Sequence, residues 1–101
     1  MTREEVSNIC KALSDVNRIH ILEMLTTGEK CGSTLLEELN ITQPTLSHHM
    51  KVLIECDLVH SYKDGKWQHY QIHCNKFREF KAYINTITCS GFETEVVIRK
   101  K

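Results

Sequence analysis

Asn40-Ile41-Thr42-Gln43-Pro44-Thr45-Leu46-Ser47-His48-His49-Met50 is the stretch that decides the fold of this chain. Asn40 tolerates the left-handed backbone that closes a helix. Thr42 can cap the next helix, and Pro44 then falls in its first turn, where a missing amide proton costs little. Leu46, His49, Met50 and Leu53 share one face of that helix, while Thr45, Ser47, His48 and Lys51 share the other. A helix end, a short turn, a helix start and a polar outer face thus follow one another within eleven residues.

Working outward, Thr34-Leu35-Leu36-Glu37 fits a capping box, so Ser33 or Thr34 is expected to start the helix before the turn. Downstream, residues 59–63 and 67–72 read as strands, joined at an Asp64-Gly65 tip that favours a tight hairpin. Upstream, Val6, Ile9, Cys10 and Leu13 keep helical spacing and predict a helix over 2–13. Ser14 or Asp15 can cap a second helix, which Arg18 leads, Ile21, Leu22 and Leu25 anchor, and Gly28 stops. Asn75 is placed to cap a last helix with Phe77, Phe80, Ile84 and Ile87 on its stripe and Gly91 at its end. The order ααααββα predicts a mainly α, α+β domain of the winged helix-turn-helix type over 1–90, followed by a tail over 91–101.

With 101 residues the chain forms one small domain, and helices outside the reading unit are free to build a dimer interface. No apolar run approaches a membrane span and the N-terminus is no signal peptide, so a cytoplasmic protein is expected. Thirteen basic and thirteen acidic residues cancel, which counts mildly against a nucleic-acid binder. Five of the six histidines (His48, His49, His60, His69 and His73) fall in the reading half, where partial protonation would add positive charge near phosphate. The five cysteines are odd in number and never closer than 15 residues, so neither a disulfide framework nor a Cys-x-x-Cys site is expected.

A helix of this design suits the DNA major groove. Gln43 can give adenine a bidentate donor–acceptor pair. Thr42, Thr45 and Ser47 can approach bases or phosphate, and His48 and Lys51 can reach either. Lys63 and Lys66 flank the hairpin tip, where a wing meets the DNA backbone or minor groove. His49, on the inner face, is expected to be packed and hydrogen-bonded to backbone. Trp67 and Tyr70 are expected in wing and core packing. Cys10 and Cys56 share the spacing of apolar neighbours and are expected as small core residues.

Taken together, Lys11-Ala12-Leu13-Ser14-Asp15, Arg18-Ile19-x-Ile21-Leu22, the run from Gln43 to Leu53, and Gly65-Lys66-Trp67-x-x-Tyr70 resemble the ArsR/SmtB family over about residues 6–75. The resemblance implies a homodimeric repressor, paired through its first and last helices, on an inverted-repeat operator in double-stranded DNA. It also implies that Gln43, Ser47 and His48 face bases, and that an inducer releases the DNA, often a thiophilic or divalent metal. This chain departs from the family in its sensing half. Where arsenic-type sensors carry Cys-x-Cys, it has Cys31-Gly32-Ser33, and the zinc-type positions on the last helix are about Cys74, Lys76, Ile87 and Ser90. Soft metalloids want two or three thiolates.

Three routes stay open. One is a thiol site that joins Cys31 with Cys74, Cys89 or a partner's cysteine and takes an ion such as trivalent arsenic. Another is a single reactive thiol, with Cys31 favoured by its place at a helix N-terminus. The third is a repressor of the same family that senses no metal. A winged-helix module that contacts only proteins is the competing class of function. No nucleophile–base–orienter set and no phosphate-cradling glycine loop appears, so an enzyme is not expected.

Overall fold

The computed structural model describes residues 1–88. Its elements are α1 (Arg3–Ala12), α2 (Val16–Leu25), β1 (Lys30–Cys31), α3 (Gly32–Leu39), α4 (Gln43–Glu55), β2 (Val59–Asp64), β3 (Trp67–Ile72) and α5 (Cys74–Asn85). The four helices, hairpin and closing helix appear in the expected order. The structure adds β1, which pairs antiparallel with β3 through Lys30↔Tyr70 and Cys31↔His69 and makes a three-stranded sheet of order β1-β3-β2. Two residues carry no periodicity, so this strand exists only because the tertiary fold brings β3 alongside.

Local chemistry sets most boundaries. Thr2 and Glu5 form a reciprocal capping box at α1, with Glu5 N–H donating to Thr2 Oγ1 at 3.1 Å and Thr2 N–H to Glu5 Oε1 at 2.7 Å. Asp15 caps α2 by accepting from the amides of Asn17 (2.8 Å) and Arg18 (3.2 Å). Asn40 closes α3 at φ 54°. Asp57 closes the end of α4 at φ 66°, with Asp57 N–H donating to Ile54 O and Leu58 N–H to Leu53 O, the paired bonds of a Schellman turn.

Several boundaries differ from expectation. α3 begins at Gly32 with Cys31 as its N-cap, so Thr34 lies inside the first turn and its capping box does not form. The pull of β1 into the sheet moves the helix start two residues upstream. Thr42 is the N-cap of α4, but its hydroxyl meets Thr45 Oγ1 at 2.9 Å rather than a backbone amide. The last helix starts after His73, not Asn75, and ends at Asn85 with Thr86 as C-cap, well before Gly91. At the hairpin, Asp64 pairs with Trp67, leaving Gly65-Lys66 as the two-residue loop. A positive φ of 66° at Gly65 suits the first position of a II′ turn, which glycine adopts without strain.

The core joins Ile9 and Ala12 of α1, Ile21 and Leu25 of α2, Leu35 of α3 and Leu46, Met50 and Leu53 of α4, closed by Leu58 and Val59, all nearly inaccessible. Tyr70 belongs to this core; Trp67, at 51% exposure, belongs to the wing alone. Phe80 is buried and meets Phe77 edge-on at 6.2 Å. Ile84 of the same helix, with Val16 and Ile19 of α2, stays exposed, and Ile87, expected on the helix stripe, lies exposed beyond the Thr86 C-cap. Cys10 is exposed, against expectation, because it falls just outside the buried edge of α1 that Val6, Ile9 and Ala12 define. Cys56 is half-buried and packs against the core. The expected tail over 91–101, its boundary at residue 90, and Cys89 and Ser90 lie outside the described residues.

Candidate nucleic-acid interface

α4 carries the candidate reading surface because its two faces differ so sharply. Leu46, His49, Met50 and Leu53 point inward and are buried, whereas Gln43, Thr45, Ser47, His48 and Lys51 are exposed along the other side. Gln43 Nε2 donates to Ser47 Oγ at 3.2 Å, one helical turn away. That bond holds the Gln43 side chain along the helix and leaves its amide oxygen open. Thr42 and Thr45 share their hydroxyl contact at the same end. The sequence-derived residues of α4 therefore share its exposed side, from Thr42 at the N-cap to Lys51.

An inner polar cluster fixes how this side is presented. Arg18 Nε donates to Ala12 O at 2.7 Å, and Arg18 Nη1 lies 3.0 Å from His49 Nδ1. A guanidinium has no acceptor, so His49 Nδ1 must accept and the ring proton must sit on Nε2. Nε2 lies 3.9 Å from Asp15 Oδ1, the same oxygen that caps α2. Burial lowers the His49 pKa; Asp15 pulls it upward and the charges of Arg18 and His48 push it down, with a net shift below the ordinary value. Burial raises the Asp15 carboxyl, but the amides of Arg18 and Asn17 outweigh it and leave it below the usual range. His49 is thus a neutral, packed histidine as expected, but its partner is a side chain, not the backbone. Arg18 and Asp15 are the positioning residues that sequence reading missed. Their only signal was an arginine leading α2 and a histidine on an apolar face.

The wing supplies the second element. Lys63 and Lys66 are exposed at its tip, and Lys66 Nζ sits 5.5 Å from the Trp67 ring centroid, a cation–π contact that gives the exposed tryptophan a local role. At the wing base Tyr62 donates to Glu29 Oε2 at 2.6 Å and stacks on His69 at 5.1 Å. Not every histidine is available for phosphate. His49 is buried, and His69 and His73 face the carboxylates of Glu29 (3.4 Å) and Asp57 (3.5 Å). Only His48 of the five lies on the outer ridge of α4.

Of the expected sensing cysteines, Cys31 lies in β1 and Cys74 at the start of α5. Cys31 caps α3 at the sheet edge, with Ser33 Oγ 3.5 Å from its sulfur. The hydrogen bond from the Ser33 hydroxyl, with the Ser33 and Gly32 amides close to the sulfur, lowers its pKa and favours thiolate. Cys74 is exposed at the first turn of α5. Among the described residues, neither thiol shares a three-donor cluster with other metal-ligating side chains.

Comparison with known proteins agrees with this geometry. A family model for the bacterial regulatory proteins of the arsR family matches residues 15–61, from the Asp15 cap into β2. An arsenical resistance operon repressor of Staphylococcus aureus is 48% identical over 91 residues, covering 90% of this chain and 88% of its own. One from Staphylococcus xylosus is 46% identical over 85 residues, with 84% and 78% covered. In structure, the homodimeric winged helix-turn-helix DNA-binding domain of a possible ArsR-family regulator from Mycobacterium bovis superposes at TM-score 0.70 and 25% identity, over 82% of this chain and 78% of that one. The reading ridge, the wing and these matches together make the chain a member of the arsR family of bacterial regulatory proteins.

Proposed function

We propose that this protein is a transcriptional repressor that binds an inverted-repeat operator as a homodimer and leaves it when a thiophilic inducer reaches Cys31. The observation that carries the reading is the exposed row Gln43, Thr45, Ser47, His48 and Lys51 on a helix whose opposite face is seated by Arg18, His49 and Asp15. Gln43 and Ser47 read base edges as a coupled pair, Thr42, Thr45, His48 and Lys51 hold bases or phosphate beside them, and Lys63 and Lys66 grip the backbone from the wing.

Dimerisation is supported by apolar surface that one chain leaves open. Ile84 of α5 and Ile87 just past its end are 40% and 71% exposed. A groove of about 550 Å³ between α2 and α5 is lined by Leu13, Ile19, Leu22, Ile72 and Phe77. A second copy laid against α1 and α5 would cover such surface and hold two reading helices at a fixed spacing. Half-sites about 34 Å apart demand that rigidity, so a small rotation of one head releases both. For induction, Cys31 has neighbours that favour its thiolate and sits where the sheet meets α3. Its missing in-line second sulfur leaves Cys74, Cys89 or a partner's cysteine to complete a metalloid site. The names of the staphylococcal relatives support trivalent arsenic as the first ion to try.

The test is a salt titration of binding to a labelled inverted repeat and to a random duplex, with wild type and a Gln43→Ala/Ser47→Ala variant. Specific binding is expected to weaken by about 1–3 kcal/mol per base pair read, with random-duplex binding almost unmoved. Equal losses on both duplexes would sink the base-reading assignment, and salt-independent binding would favour a protein-contact module.

A further inference from the structure

Three metal-ligating side chains meet where the reading helix ends and the last helix begins. Asp57 follows α4, His60 is the second residue of β2, and His73 caps α5. One donor atom from each lies within 4.8 Å of the other two. His73 Nδ1 is 3.5 Å from Asp57 Oδ2 and 3.0 Å from Asp57 O, and the His60 and His73 ring centroids are 4.2 Å apart. None of these residues belongs to the reading ridge, the Cys31 corner or the zinc-type positions of the last helix.

The backbone holds two of the donors in place. Asp57 takes the left-handed position of the Schellman turn, at φ 66°, where glycine is the less strained choice. His73 N–H donates to Leu58 O at 2.8 Å, which ties the start of α5 to the residue after Asp57. Bonds of about 2.1 Å at a tetrahedral angle span about 3.4 Å between ligand atoms. The 3.5 Å between His73 Nδ1 and Asp57 Oδ2 is such a span. The exposed His60 ring closes the set with a small side-chain rotation. Lys76, whose pKa the Asp57 charge helps to raise, is itself paired with Glu5 at 3.1 Å.

We propose that Asp57, His60 and His73 form a site within one subunit for a borderline divalent cation such as Zn²⁺ or Ni²⁺, with solvent in the remaining positions. Imidazole and carboxylate donors suit these ions, and the absence of thiolate excludes soft metalloids from this site. The ion replaces the proton that the His73 ring shares with Asp57, and it joins the end of α4 to the start of α5.

The experiment titrates Co²⁺, then Zn²⁺, into reduced full-length protein. One equivalent per subunit is expected, with weak visible cobalt bands, no intense near-ultraviolet thiolate band, and displacement by Zn²⁺. His60→Gln, an exposed change that leaves the fold intact, and His73→Gln should each weaken binding by more than about tenfold, since even an outer partner of a ligand costs that much. Zn²⁺ should raise the thermal midpoint of wild type and not of His60→Gln. No saturable binding, a thiolate band, or unchanged affinity in His60→Gln overturns the site and leaves a plain His–Asp ion pair.

Discussion

Replacing Arg18 by alanine should cost this protein far more than a surface arginine would. Arg18 makes two bonds at once, to Ala12 O at 2.7 Å and to His49 Nδ1 at 3.0 Å. Each is a bond from a charged donor, worth about 1.5–3 kcal/mol, and the half-buried setting puts both near the lower end, about 3 kcal/mol together. The loss includes a buried imidazole nitrogen left without a donor. For a domain of this size, that lowers the thermal midpoint on the order of 15 °C. Urea unfolding at fixed protein concentration, followed by circular dichroism, reads the loss directly, with an unchanged slope expected.

A double-mutant cycle then isolates the contact. His49→Leu removes only the imidazole, so its coupling with Arg18→Ala should be about 1 kcal/mol. Arg18→Lys keeps the charge but offers no fork, and should restore no more than roughly half of the loss. Because this pair seats α4, operator affinity should fall in parallel with stability. A loss below about 1 kcal/mol, or strictly additive single changes, would refute the assignment of Arg18 as the anchor of the reading helix.

The remaining predictions concern charge and thiol chemistry. Lys63→Ala/Lys66→Ala should weaken inverted-repeat and random duplexes alike and reduce the slope of log affinity against log salt by about one per lysine; an unchanged slope would remove the wing from the DNA. His49 has a depressed folded-state pKa, so the unfolded chain takes its proton first, and stability should fall as pH drops below about 6.5, the ordinary histidine value. Denaturant midpoints across that range should show this limb in wild type and not in His49→Leu. The depressed Asp15 carboxyl adds stability above its unfolded value, which is lost at lower pH still, as acidification passes its folded pKa. Trivalent arsenic should release wild-type protein from operator but not Cys31→Ser; release that persists in the variant would move the sensing thiol elsewhere.

The reading helix was legible because its information is local. Pro44 in the first turn, the alternation of Leu46 and Met50 with Ser47 and His48, and Asn40 at the preceding turn each follow from backbone rules acting within a few residues. The same rules gave α1, α2 and the hairpin. They failed where a distant segment competed: Thr34 is a sound capping residue, yet β1 pairs with β3 and draws the start of α3 back to Gly32. At the hairpin a one-residue shift moved Asp64 from the tip into the ladder, because pairing with Trp67 won over the Asp-Gly turn preference.

Burial of individual polar and thiol side chains was the least legible layer. Periodicity placed Cys10 on an apolar stripe, but the width of the buried edge depends on what α1 packs against. Five histidines in one half looked like a shared reserve of charge; in three dimensions His49 is core, His69 and His73 face carboxylates, His60 lies tilted against the His73 ring, and His48 alone lies on the outer side of α4.

By itself the sequence determined the order of the five helices and the hairpin, the polar side of α4 from Thr42 to Lys51 and the family, since these depend on neighbours three or four residues apart. Only the tertiary structure decided that Arg18 and Asp15 seat His49, and that Asp57, His60 and His73 converge. Those contacts join residues that are distant in the chain, and no local propensity encodes the distance between them.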